Sequence, residues 1–113
     1  MASIEQLKDA ISKIDEEGYL GGEDQLRSLA ERAYQIAESE KGSLRVVAFI
    51  MYVIFSEHAN AQSDGPVTLE QSTILWGIIQ SPIKRGLRAL SGDRNENIGG
   101  VVESLLNAYF ASC

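Results

Sequence analysis

His58 is the one histidine of the chain and it stands beside Glu57, the only imidazole and carboxylate placed to act as a general acid–base couple. On a helix, adjacent residues point about 100° apart, so the two do not face each other. A positive imidazole close to the C-terminal end of a helix is favourable in itself. Neither a nucleophile nor an orienting partner stands at a matching spacing. His58 is therefore read as a structural or capping residue, and the chain as a non-enzyme. The segment Asp93-Arg94-Asn95-Glu96-Asn97 begins like a calcium loop, but Ile98 occupies the obligatory glycine position and Ser104 the terminal acid. Gly99-Gly100 lacks the strand, later glycine and lysine of a phosphate-binding loop and reads as a helix start or close packing point. One cysteine, Cys113, excludes an internal disulfide framework and a cysteine-based zinc site. At the terminus it reads as an exposed thiol. No cofactor is implied.

Trp76, Tyr34, Tyr52, Tyr109 and the three phenylalanines have the bulk to line a pocket for an apolar ligand, although at helical spacing such residues usually form core. A small apolar or anionic ligand near Trp76, with Lys84 or Arg85 as counter-charge, is the second functional reading.

The elements that carry these residues are helical. In the first 17 residues Ile4, Leu7, Ile11 and Ile14 recur at three and four, after a capping-box pair, Ser3 and Gln6. Gly18 stops this helix. A second opens after Gly21-Gly22 with Glu23 and Asp24 at its positive end, buries Leu26, Leu29, Ala33, Ile36 and Ala37, and ends at Gly42. Ser43 then caps a third helix, about 44–61, whose run from Val46 to Phe55 is wholly apolar. A helix apolar on every side must be surrounded. Ten residues rise only about 15 Å, half a bilayer core, which makes this a buried helix and not a membrane span. Thr68 and Gln71 repeat the capping box before a fourth helix whose expected face is Leu69, Ile74, Leu75, Ile78 and Ile79. Pro82 is expected to break it near Gln80 and, with Ser81, to start a fifth carrying Ile83, Leu87 and Leu90 as far as Gly92. The last helix presents Val101, Val102, Leu105, Leu106, Tyr109 and Phe110. The expectation is an all-α fold, one domain over 1–113, a compact bundle of five or six helices around a central apolar helix.

Charge is uneven over the 113 residues, whose formal net value is −6. Residues 1–42 hold ten acids and five bases, whereas Lys84, Arg85, Arg88 and Arg94 face only Asp93 within 81–94. An acidic chain disfavours nucleic acid and anionic membrane surfaces. The first functional reading is a non-enzymatic interaction module, a small inhibitor, immunity-type factor or adaptor, whose Asp15, Glu16, Glu17, Glu23 and Asp24 dock a basic protein partner. Lys84, Arg85 and Arg88 are read as an anion site or as partners for the chain's own acidic helices. A homodimer through helix three or the C-terminal helix follows from the broad apolar circumference of both. Small acidic helical proteins that neutralise nuclease toxins share this size and charge balance. The tyrosine-pair recognition sequence of the colicin-nuclease immunity group is not found, so the likeness is compositional and transfers no residues. With no secretory signal and no prenylation pattern, a cytoplasmic location is expected.

Overall fold

A computed structural model describes residues 2–93 and 95–112, apart from the side chains of Ala2 and Ser3. The expectations placed on Arg94, on the Cys113 thiol and on the Ser3 hydroxyl fall outside what is described. Five helices follow in order: α1 Ala2–Glu17, α2 Glu23–Ser39, α3 Gly42–Asp64, α4 Leu69–Leu90 and α5 Ile98–Ser112. There is no strand among the described residues, and the fold is an all-α bundle.

Local chemistry sets most of the boundaries. Gly18 adopts φ +84° and donates its N–H to the Ile14 carbonyl at 2.7 Å, the left-handed stop that a side chain would strain. At α4 the Thr68 hydroxyl accepts from the Gln71 N–H and the Gln71 carboxamide accepts from the Thr68 N–H, so the capping box forms as read. Two boundaries differ from expectation. α2 ends at Ser39, where the Glu40 N–H still reaches the Ile36 carbonyl, and Gly42 is the first residue of α3, with φ +64°. Gly42 therefore opens a helix where it was expected to close one, and Ser43 lies inside α3 instead of capping it. Pro82 likewise does not divide α4, which runs unbroken for 22 residues. Proline removes one backbone donor, leaving the Ile78 carbonyl without its usual partner. Ile78 and Pro82 sit on the partly open side of α4, lining a shallow groove with Ser104 and Asn107 of α5, so that cost falls beside solvent.

One continuous core unites Leu7, Ile11 and Ile14 of α1 with Leu26, Leu29 and Ile36 of α2, the inner side of α3, and α4 and α5. α3 supplies its axis through Val47, Met51, Ile54 and Phe55, all fully buried. α3 spans 23 residues, about 34 Å at 1.5 Å per residue, and so is long and apolar enough to cross a membrane. In this fold 44% of its most apolar stretch is buried inside the bundle. Its burial is not all-round, however: Val46 and Phe49 are exposed, which corrects the reading of a helix wrapped on every side. On α4 the inward line is Ser72, Trp76, Ile79, Ile83, Gly86, Leu87 and Leu90. The expected face holds only at Ile79, with Leu75 half-buried; Leu69, Ile74 and Ile78 stand open. Gly86 marks the closest approach, since a Cβ there would lie 2.8 Å from Met51 Sδ of α3 and 3.5 Å from Leu105 of α5.

Candidate functional site

The five acids expected to act together are divided by the fold. Asp15, on the last turn of α1, meets Lys84 of α4 with Nζ to Oδ2 at 2.9 Å. The Lys84 hydrogen bond is the main cause that holds the Asp15 carboxyl below its ordinary range, helped by the Trp76 indole and opposed by desolvation. Glu23, on the first turn of α2, accepts from Arg27 Nε at 2.7 Å. Glu16, Glu17 and Asp24 remain exposed, with no ion-pair partner among the described residues.

Lys84, Arg85 and Arg88 lie on α4 and are paired within the chain. Arg85 Nε and Arg88 Nε donate to the two oxygens of Glu96 at 3.1 and 2.8 Å, and Arg85 Nη1 donates to Ser104 Oγ at 2.8 Å. The Glu96 side chain is only 13% exposed, and its two guanidinium partners, Arg88 foremost, lower its pKa. Lys84 and Arg88 share one side of α4, as their spacing requires, and line a groove of about 410 Å³ between α1 and α4. Lys8, Asp15 and Asp93 complete its polar wall, and Ile11 and Leu87 form its floor. Trp76 is not in this lining. Its ring is 3% exposed and belongs to the core.

His58 is buried on the inner side of α3, six residues before that helix ends, and its Nε2 lies 3.1 Å from Ser112 Oγ at the end of α5. Burial lowers its pKa, with Glu57 pulling the other way. Burial thus disfavours the charged ring, and His58 lies six residues short of the α3 end and does not cap it.

The aromatic residues do not all join the core. Phe55 and Trp76 do, but Tyr34 and Phe49 stand about half exposed and Phe110 is 72% exposed. Along the α2–α3 boundary Tyr34 and Tyr52 pack with ring centroids 5.1 Å apart, and Tyr52 and Phe49 with centroids 5.7 Å apart. Beside them a groove of about 320 Å³ is lined by Arg27, Ala30, Glu31, Tyr34, Tyr52 and Ser56. Arg27 is engaged by Glu23 and by Asn60 Oδ1, at 3.2 Å from Nη2. Glu31 and Glu38 have no ion-pair partner among the described residues. This seam was missed as a unit. The available signal was that Tyr34 lies off the Leu26–Leu29–Ala33–Ile36 stripe, with Glu31 three residues before it and Glu38 four after. Comparison of the chain with protein-family models, with curated proteins and with solved structures finds no match in any of the three.

Proposed function

We propose that the chain is a non-catalytic interaction module, an inhibitor, immunity-type or adaptor protein acting in the cytoplasm, that docks a basic protein partner. The observation that carries this reading is open aromatic surface next to unpaired acid: Tyr34 shares a groove with Glu31, which has no ion-pair partner among the described residues, and Phe49 lies open on the adjoining side of α3. Aromatic anchors supply affinity at interfaces, and unpaired charge supplies steering. The state of His58, buried against Ser112, also speaks against proton transfer with an outside substrate. The test is capture from native lysate at low and high salt, with the parent chain and with a Glu16→Gln/Glu17→Gln/Asp24→Asn/Glu31→Gln/Glu38→Gln variant. A basic protein retained by the parent at low salt, and lost from the variant, is the expected result. Equal retention by both chains rejects the reading. Leu106 and Phe110 of α5 are open as well, and a second copy of the chain is the proposed occupant of that end.

A second reading, a bundle binding a small apolar or anionic ligand, is favoured by the α1–α4 groove, where Lys8, Lys84 and Arg88 surround an Ile11–Leu87 floor. Its size lies within the range of small-molecule sites. Native mass spectrometry of freshly purified protein is expected to show a retained adduct that Lys84→Ala/Arg88→Ala releases. A clean mass, with no binder in a screen of amphiphilic carboxylates, rejects this reading.

A further inference from the structure

From the α2–α3 seam we infer that the docking site takes one amphipathic helix of the partner, which lays aliphatic side chains on Phe49 and Tyr52 and basic side chains, spaced seven residues apart, along α2. This rests on the interaction-module reading and adds to it the place and the form of the partner. Three observations support it. First, Asp24, Glu31 and Glu38 recur every seven residues on the outer side of α2, about 10.5 Å apart at 1.5 Å per residue. A straight α-helix drifts by about 20° per seven residues, so the row winds slowly around α2. That spacing matches the repeat by which a second helix presents side chains to a first.

Second, the seam beside this row is aromatic, open at Tyr34 and Phe49 and half-buried at Tyr52. Tyr34, Tyr52 and Phe49 are in successive ring contact, and Val46 extends the apolar surface one turn further along α3. Third, the charges match a cationic occupant better than a second copy of the chain. Arg27 is the cation in the groove lining and it is already held by Glu23, while Glu31 in the same lining is unpaired. A lysine or arginine entering there meets Glu31 on one side and the face of Tyr34 or Tyr52 on the other, an ion pair and a cation–π contact together. A second copy would bring its own Glu31 and Glu38 together with Arg45, so the acidic row gains less from it than from a wholly basic helix face.

The intact 113-residue chain is presented with a display library of amphipathic helices randomised at the polar positions, and enriched sequences are titrated as synthetic peptides. Enrichment of lysine or arginine at seven-residue spacing is expected. Tyr34→Ala should weaken the enriched peptides about tenfold or more, and Glu31→Gln/Glu38→Gln about threefold to tenfold with a flatter salt dependence. Glu70→Gln/Glu103→Gln, at exposed acids of α4 and α5, should leave them unchanged. Circular dichroism of each variant excludes loss of the fold as the cause. Basic peptides that respond to Glu16→Gln/Glu17→Gln but not to Tyr34→Ala overturn the seam assignment while leaving the basic-partner reading intact. Enrichment of acidic or neutral helices, or of none above a scrambled library, overturns the inference. Paired with equal lysate retention by parent and variant, that result overturns the reading beneath it too. A parent chain that is dimeric in light scattering, and made monomeric by Phe49→Asp, assigns the seam to a second copy and also overturns the inference.

Discussion

At His58 the imidazole is desolvated among α3 core residues and hydrogen-bonds with the Ser112 hydroxyl. Its pKa is lower in the folded chain than the value near 6.5 that it takes when unfolded, with burial as the main cause. The unfolded chain therefore binds the proton first as pH falls. Stability attributable to His58 is complete above about pH 6.5 and declines below it, until the folded ring itself protonates. Denaturant midpoints measured at pH 7.5 and 5.5 should fall for the parent and change much less for His58→Leu. Equal slopes for both chains would mean that the ring is solvated. The sequence analysis read His58 as structural because no nucleophile or orienting residue stands at a matching spacing along the chain; the Ser112 hydroxyl reaches it only through the fold. Its protonation was not legible, because that depends on how far α3 continues and on the arrival of Ser112 from 54 residues away. The same holds at Asp15: its acidity was plain, but its neutralisation by Lys84 joins α1 to α4 and has no local signature.

Helices were legible where their ends are written in turn chemistry. Gly18, Gly92, Thr68 and Gln71 act through their own backbone and immediate neighbours, and each lies where it was expected. Pro82 and Gly42 misled because a local rule has two outcomes and tertiary packing selects between them. On α4 the line Ser72, Trp76, Ile79, Ile83, Leu87, Leu90 keeps helical spacing straight through Pro82. That continuity, and not the proline, describes the element. Gly86 belongs to the same line and carries a consequence for packing. Its missing side chain lets α4 approach Met51, so Gly86→Val forces side chains apart and should cost about 1–3 kcal/mol. A double-mutant cycle with Met51→Ala, followed by urea denaturation, should show coupling between the two positions. Additive losses would place the crowding elsewhere.

For the molecule as a whole, several large apolar side chains stay outside the core. The open Phe49, Phe110, Leu69 and Ile74 are among them. Sequence indicated that α5 would be left partly uncovered, but the unbroken apolar run from 46 to 55 led to the expectation of an α3 enclosed on all sides, which hid its open side at Val46 and Phe49. Phe55 is fully enclosed at the centre. Phe55→Ala should remove about 3–5 kcal/mol, a large part of the roughly 5–15 kcal/mol typical of such a domain. A melting temperature shifted by only a degree or two would show that the cavity collapses.

Only Glu40 and Lys41 separate α2 from α3. A connection this short brings two long helices into register with little loss of chain freedom, and such neighbours meet before distant segments find one another. The Tyr34–Tyr52 stack and the Arg27–Asn60 bridge both lie within this pair. The α2–α3 seam is therefore expected to assemble early in folding, before α1, α4 and α5 have docked.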